Sequence, residues 1–203
     1  MKNVLVLNAS LQGDNGNSSQ LTSEFVTQLQ QTESIKVEKV DLNTLNLPHL
    51  SAQEMQTWSM LSDNMTPEQA TLTAYSNDLL AQLERSDVIV VGMPMYNFTI
   101  PSTFKAWIDR VARAGRTFSY TSEGPKGHLQ GKAVYIFAAR GGIYQGTDND
   151  TQTPYLRLVF GLMGITNVNF VYLEGLNMGQ EHAQTSWQNA RESMAALVPV
   201  IAL

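Results

Sequence analysis

Short runs of consecutive apolar residues, separated by longer stretches with helical periodicity, constrain the fold of this chain most strongly. Residues 88–92 are continuously apolar and mostly β-branched, and Pro94 follows them. In a strand this pattern indicates burial on both faces of a sheet and a central parallel position. Residues 36–42 instead alternate polar and apolar, as a half-exposed edge strand does. Strands are predicted over residues 2–8, 36–42, 88–92, 133–138 and 169–173.

Helical patterns fill the spaces between these strands. In the first of them, apolar residues recur every three to four positions, and Ser18 or Ser19 is the expected cap. A long segment after the second strand looks like a helical insertion, within which Thr66 and Pro67 are typical of a helix start. Helices are predicted over residues 18–31, largely over 50–83, over 103–113, near 154–163 and from 183 to about 198.

Strands that alternate with helices favour a parallel sheet covered by helices on both faces. Five strands fit the order 2-1-3-4-5, so the predicted fold class is α/β, a flavodoxin-like three-layer sandwich. At 203 residues and 22.5 kDa, the chain is expected to form a single domain over residues 1–203. In such sheets ligands bind at the carboxyl edge of the central strands.

Composition excludes several classes of function. The net charge of -5 and the lack of any Lys/Arg run argue against a nucleic-acid partner. The apolar run near the N-terminus is too short for a signal peptide, and no stretch approaches the ~20 residues of a membrane span, so we expect a soluble cytoplasmic protein. Zero cysteines leave redox chemistry to a bound cofactor. No metal site is expected, because His49, His128 and His182 lack ligand spacing and are expected at the surface.

The loop after the first predicted strand has the parts of a phosphate site. Residues 10–19 combine glycine with hydroxyl and amide donors, directly before a helix N-terminus. They lack the Gly-Lys-Ser/Thr ending of a Walker loop and the Gly-x-Gly-x-x-Gly spacing of dinucleotide sites. The loop favours a monophosphate bound without a lysine, although a polar loop that only caps a helix has a similar composition.

The segment after the strand at residues 88–92 favours a flat heteroaromatic ligand. Between two prolines, Tyr96 and Phe98 flank the amide of Asn97. Apolar faces beside an amide-lined polar edge are what such a ring needs. A purely structural turn is the alternative.

A third loop, residues 138–144, follows the next buried strand and is expected at the same sheet edge. Gly141 and Gly142 let the backbone approach a bound ring and aim N–H groups at its carbonyls. A simple glycine turn is the alternative for this loop alone. Because the three loops share one edge, we expect them to form one site.

Several segments together closely resemble the bacterial FMN-dependent NADH-azoreductase and NADH:quinone oxidoreductase family. The resemblance covers essentially the whole chain, since residues 153–156 and 164–166 also match in order and spacing. The strongest matches are Met95-Tyr96-Asn97-Phe98, the RAGRTFSY segment at residues 113–120, and Arg140-Gly141-Gly142.

The resemblance implies a homodimer with FMN sites at the subunit interface, one FMN per subunit. It implies two-electron hydride transfer from NADH to FMN and on to quinones or aromatic azo compounds, by a ping-pong mechanism. It implies that Ser10, Gly16, Asn17 and Ser18 hold the FMN phosphate. It also implies that the isoalloxazine is lined by Met95, Tyr96, Asn97, Phe98, Ala139, Arg140, Gly141 and Gly142.

Few side chains are expected to take part in the chemistry. Asn97 and backbone N–H groups are expected to stabilise negative charge on the reduced ring. Tyr120 is implied to approach the flavin from the other subunit. No general acid or base is assigned. The sequence departs from the family pattern at Ala139, where Ser or Thr is common, and at Leu162, where an aromatic residue is sometimes found.

Other readings of the sequence compete with this one. An electron-transfer flavodoxin without NADH turnover is the main alternative, and a non-enzymatic FMN or redox sensor is a weaker one. Asp41 ends the second strand, as a ribose-binding acid of an NAD domain does, but the first loop lacks the glycine spacing. Arg113 and Arg116 are interpreted as a solvated helix end, with contact to a 2′-phosphate as the alternative.

Overall fold

The computed structural model describes residues 1–201, with side chains except at positions 62 and 199–201. Residues 202 and 203 of the predicted domain lie outside the described residues. The strands are β1 (Lys2–Asn8), β2 (Ile35–Asp41), β3 (Val88–Pro94), β4 (Phe118–Thr121), β5 (Gly124–Gly127), β6 (Ala133–Ala139) and β7 (Asn167–Leu173). The helices are α1 (Asn17–Thr32), α2 (Ala52–Thr57), α3 (Pro67–Arg85), α4 (Ser102–Val111), α5 (Gln152–Leu162) and α6 (Gln180–Ile201).

Five parallel strands form the central sheet in the order β2-β1-β3-β6-β7. Numbered within this sheet alone, the order is 2-1-3-4-5, which confirms the predicted flavodoxin-like fold. The strand β3 is buried at every residue because it lies at the centre, whereas β2 lies at the edge and is mostly half-buried. The five predicted strands are therefore all confirmed.

Alternate residues of the strands face two helical layers, because successive side chains of a strand point to opposite faces. Leu5 and Leu7 of β1 pack in a core with α3, α4 and α5. Val4 and Val6 pack in a second core with α1 and α6. The sheet thus has helices on both faces, and the loops at its carboxyl edge are held by two separate cores.

Several predicted helices differ from the observed ones in their bounds, and the last, predicted from residue 183 to about 198, begins at Gln180. The helix predicted over residues 103–113 ends at Val111, because Ala112 turns out of the helical conformation. The segment predicted as largely helical over residues 50–83 divides into α2 and α3, with a short 3-10 turn at Ser62–Asn64 between them. The predicted start at Thr66 is confirmed, since its hydroxyl accepts from the Gln69 N–H and the Gln69 side chain accepts from the Thr66 N–H.

A small hairpin, β4 and β5, stands apart from the main sheet and was not predicted. It is fastened to the turn between α5 and β7 by a close backbone contact. A Cβ at Gly127 would lie 2.0 Å from the amide nitrogen of Gly164, which itself has a φ of 96°. The Leu129 N–H donates to the Met163 carbonyl at 2.8 Å beside this contact. The hairpin is therefore anchored at its base, and Tyr120 projects from it.

Candidate active site

A cavity of about 280 Å³ lies at the carboxyl ends of β1, β3 and β6. This is the edge at which parallel α/β sheets bind ligands. The residues that line it are Ser10, Gln12, Gly16, Asn17, Ser18, Pro94, Met95, Tyr96, Ala139, Arg140, Gly141, Leu176 and Asn177. The three loops expected to form one site therefore do surround one cavity.

The β1–α1 loop leaves hydrogen-bond donors free at one end of the cavity. The helix α1 has Gly16 as its N-cap and no side-chain cap, so the prediction that Ser18 or Ser19 caps it is wrong. Both serines lie inside the first turn, because the extended residue that precedes the helix is Gly16. The hydroxyls of Ser18 and Ser19 are buried and have no hydrogen-bond partner among the described residues.

Gly16 permits a close approach within this loop. A Cβ at position 16 would lie 2.1 Å from Ser10 Oγ, and Ser10 is itself buried. Ser10 Oγ accepts the Gln12 N–H at 3.2 Å. An uncapped helix N-terminus with an orphaned hydroxyl beside it has the donors that a phosphate group needs. The residues present thus fit the phosphate of FMN.

The segment after β3 forms a tight turn with an unusual backbone. Asn97 and Phe98 have φ values of 49° and 66°. Tyr96 and Thr99 flank them and exchange two N–H···O bonds of 3.0 and 3.1 Å. This is the two-residue type I′ geometry, in which glycine is usual at the position that Phe98 occupies. Asn97 and Phe98 are exposed and lie outside the residues that line the cavity, whereas Met95 and Tyr96 line it.

Tyr96 joins two walls of the cavity. Its hydroxyl accepts the N–H of Leu11 at 3.1 Å, which ties the turn after β3 to the loop after β1. The Met95 N–H donates to the Ala139 carbonyl at 3.0 Å and ties the same turn to the end of β6. The three loops are therefore connected by direct hydrogen bonds.

Arg140 lines the cavity, but its guanidinium is occupied elsewhere. It is fully buried, with Nη2 3.0 Å from Asp150 Oδ1 and Nη1 2.9 Å from Glu174 Oε1. Its CZ atom lies 5.0 Å from the ring centroid of Tyr172. The side chain thus joins β6 to the loop before α5 and to the residue after β7. Its backbone is also engaged, because the Arg140 N–H donates to the Leu173 carbonyl at 2.8 Å and the Arg140 carbonyl accepts the Leu176 N–H at 3.3 Å.

The carboxylate of Asp150 is held in its charged form. Burial raises the pKa of Asp150, but the hydrogen bonds donated by Thr153 and Arg140 outweigh burial and hold the pKa below its ordinary value. Asp150 therefore remains a charged partner of Arg140.

The two glycines of the third loop have different surroundings. Gly141 lines the cavity, and its carbonyl accepts the Asn177 N–H at 2.9 Å. Gly142 lies outside the lining, and a Cβ there would lie 2.8 Å from the hydroxyl of Tyr144. Tyr144 also contacts Phe98 edge-on, with ring centroids 5.7 Å apart. The absence of a side chain at Gly142 therefore leaves room for the ring of Tyr144, which links this loop to Phe98 in the turn after β3.

Four lining residues were not predicted: Gln12, Pro94, Leu176 and Asn177. Leu176 and Asn177 form a fourth wall from the segment that follows β7. The sequence contained one indication of this fourth wall. The segment follows β7, and β7 ends at the same sheet edge as β6. Tyr120 lies on the hairpin, is 77% exposed, and does not line the cavity of its own chain.

The remaining predictions concern charged side chains. Arg113 is buried, donates to Asn77 Oδ1 at 2.7 Å and lies over the ring of Trp58, so the interpretation of it as solvated is wrong. Its long-range partner Trp58 covers it. Arg116 is exposed and pairs with Glu84 at 2.8 Å.

The expectation that the histidines lie at the surface is confirmed, since His49, His128 and His182 are exposed. Within residues 1–201, His, Asp and Glu form no group that could hold a metal ion. None of the helices described is long and apolar enough to cross a membrane.

Comparison with known proteins places these features in a family. A profile described as "Flavodoxin-like fold" matches residues 2–198. An "FMN-dependent NADH:quinone oxidoreductase" of Pseudoalteromonas atlantica is 92% identical over 199 residues, covering 98% of each chain. A protein of the same description from Alteromonas mediterranea is 46% identical over 97% of this chain and 98% of its own.

Solved structures agree with the sequence comparison. A crystal structure of an azoreductase from Bacillus anthracis str. Sterne has a TM-score of 0.89 and 28% identity, over 98% of this chain and 99% of that one. An FMN-dependent NADH-azoreductase from Bacillus anthracis str. Ames Ancestor, in complex with FMN, has a TM-score of 0.86 and 25% identity, over 98% and 100%. The chain belongs to the flavodoxin-like family that contains the FMN-dependent NADH:quinone oxidoreductases.

Proposed function

We propose that this chain is an FMN-dependent NADH:quinone oxidoreductase that also reduces aromatic azo compounds. The observation that carries the proposal is the 92% identity to a relative of that description along nearly the full length of both chains. The cavity at the carboxyl edge of the sheet, with free donors at one end and an aromatic turn at the other, supports it. A flavodoxin-type electron carrier has no specific feature in its favour.

In this proposal, the donors at the start of α1 hold the phosphate of FMN. These are the first-turn N–H groups together with Ser10, Gly16, Asn17 and Ser18. Ser18 supplies a buried hydroxyl that has no other partner among the described residues. The isoalloxazine would be bordered by Met95, Tyr96, Asn97, Phe98, Ala139, Arg140, Gly141 and Gly142, with Arg140 holding the loop in place through its ion pairs.

The chemistry that FMN supplies when bound is two-electron transfer, from the hydride of NADH to a quinone or azo acceptor. The protein binds and orients the ring and the substrates. Backbone N–H groups at the carboxyl edge act as fixed donors toward negative charge, which is worth about 3 kcal/mol per donor in comparable sites. Ala139 presents a methyl group there, where a hydroxyl would give one more donor.

We also propose a cytoplasmic homodimer of one-domain subunits with one FMN each. Large apolar side chains around the cavity are at least 49% exposed in the single chain, and a second copy would cover them. These side chains are Leu11, Phe98, Ile143 and Met178, with Tyr120 projecting from the hairpin. Both hydrophobic cores pack on the same sheet, which supports a single domain. The proposed donor NADH is an intracellular nucleotide, which supports a location in the cytoplasm.

The test is an anaerobic visible spectrum of the FMN-loaded protein. It is recorded alone, after NADH, and again after a benzoquinone. Bleaching by NADH followed by recovery with quinone is the expected result. Bound flavin that NADH fails to bleach would favour the electron carrier, and failure to bind flavin would refute the proposal. Sedimentation of the loaded protein tests the dimer separately.

A further inference from the structure

The side-chain amide of Gln152 lies between two of the loops that surround the cavity. Gln152 is fully buried at the first position of α5 and does not itself line the cavity. Its Oε1 accepts from Nε and Nη2 of Arg140, each at 3.3 Å. Its Nε2 donates to the carbonyls of Pro94 at 3.0 Å and Thr99 at 3.4 Å. One amide therefore contacts the third loop and both ends of the turn after β3.

That turn needs external support. A left-handed conformation costs an L-residue such as Phe98 free energy, and it persists only where surrounding contacts impose it. The Thr151 hydroxyl donates to the Phe98 carbonyl, next to the Gln152 contact with Thr99. The residues at the start of α5 thus bind two consecutive carbonyls of the strained turn.

We propose that Gln152 is a positioning residue that sets the relative placement of the two loops that border the FMN ring. This proposal rests on the proposed FMN site. Gln152 acts through Arg140 on residues 140–142 and through Pro94 and Thr99 on the turn at residues 96–99. A change in this amide moves donors relative to the bound ring, and flavin reduction potential responds to such donors.

The amide is suited to this position because it presents an acceptor to a cation and donors to carbonyls. In Gln152→Glu the acceptor toward Arg140 remains, but the donor is replaced by an oxygen that faces the Pro94 and Thr99 carbonyls. The variant therefore breaks the connection on the side of the turn. Thr151→Val removes only the hydroxyl that donates to Phe98 and tests the same turn from an exposed position.

The experiment compares FMN dissociation constants, midpoint potentials and NADH kinetics of FMN-loaded wild type, Gln152→Glu and Thr151→Val. The matched control is Gln188→Met on α6, where the amide donates to the exposed Glu192 and to no other group of the described residues. We expect Gln152→Glu to weaken FMN about 10-fold, as the loss of one to two hydrogen bonds implies. We also expect a more negative potential and a fall in kcat that exceeds any rise in KM. Thr151→Val should shift these quantities in the same direction by less, and the control should shift none.

An unchanged FMN affinity and potential in Gln152→Glu would overturn the positioning role. If that variant fails to fold, Thr151→Val decides, and wild-type affinity and potential there would overturn the proposal. Wild-type protein that binds no FMN would refute the proposed function instead, so the two failures are distinguishable.

Discussion

Replacement of Gly16 by alanine is expected to separate recognition of the phosphate from recognition of the flavin ring. The added Cβ would lie 2.1 Å from Ser10 Oγ and 2.7 Å from Ser10 Cβ, far inside van der Waals contact. Ser10 is 2% exposed, so it has little room to move away. The first turn of α1 must therefore shift relative to the loop, and its donors shift with it.

The magnitude follows from the bonds that such a shift removes. A hydrogen bond to a charged group contributes about 1.5–3 kcal/mol. Loss of two of them at the phosphate weakens FMN by about 3–6 kcal/mol, which is roughly 10²- to 10⁴-fold in Kd. Riboflavin has no phosphate, so its affinity should change little.

The assay is flavin fluorescence during titration of the apoprotein with FMN and, separately, with riboflavin. Gly161→Ala is the matched control, since a Cβ there meets open space within α5. That variant should bind both flavins as wild type does and gain about 0.5–1 kcal/mol of stability. Equal weakening of FMN and riboflavin by Gly16→Ala, or no weakening of FMN, would show that this loop does not hold the phosphate.

Two further predictions concern stability. Gly127→Ala should markedly lower the midpoint temperature of thermal unfolding, because its Cβ would lie 2.0 Å from the backbone nitrogen of Gly164. A variant that unfolds at the wild-type temperature in calorimetry would contradict the close contact. Burial raises the pKa of Asp150, but hydrogen bonds from Thr153 and Arg140 outweigh it and hold the folded-state pKa below the ordinary value of 3.8. The carboxylate therefore stabilises the folded state above pH 3.8, and this stabilisation is lost as the pH falls through the folded-state pKa. Denaturant titrations from pH 5 downward should show this loss in wild type and a smaller slope in Asp150→Asn, and equal slopes would refute it.

The sheet could be predicted because local and global signals agree in its strands. Residues 88–92 are apolar throughout, and burial on both faces is the single environment in which such a strand is stable. The position of the site follows from this sheet, since loops after neighbouring parallel strands meet at one edge. These two steps predict which loops form the site, whereas the family resemblance implied the individual residues Ser10, Met95 and Gly141.

The N-cap of α1 could not be predicted from composition. Ser18 and Ser19 are good capping residues, but a cap depends on which residue has an extended backbone. That residue is Gly16, whose lack of a side chain lets the chain pass Ser10. Ser18 was nevertheless informative, because its hydroxyl, which has no partner among the described residues, belongs to a residue that lines the cavity and supports a phosphate site.

Features that depend on contacts between residues far apart in the sequence were also not predicted. The sequence of β5, Gly-Pro-Lys-Gly, has no alternation of polar and apolar residues, and its hairpin depends on contact with Gly164. Arg113 is buried because Trp58 lies over it, 55 residues away in the sequence. The positive φ values of Asn97 and Phe98, and their place beside the cavity rather than in its lining, were likewise not predicted.

The pairing of Arg140 has a consequence for how the cavity selects its ligand. Arg140 is the one charged residue among the described residues that line the cavity, and its single positive charge is already paired with two carboxylates, those of Asp150 and Glu174. The chain as a whole carries a formal charge of -5, so no long-range attraction draws an anion inward. A phosphate bound by neutral dipoles at contact distance is little affected by mobile ions. In the proposed site, flavin affinity should therefore not fall as ionic strength rises, since salt screens only the repulsion between the anionic phosphate and the negatively charged chain.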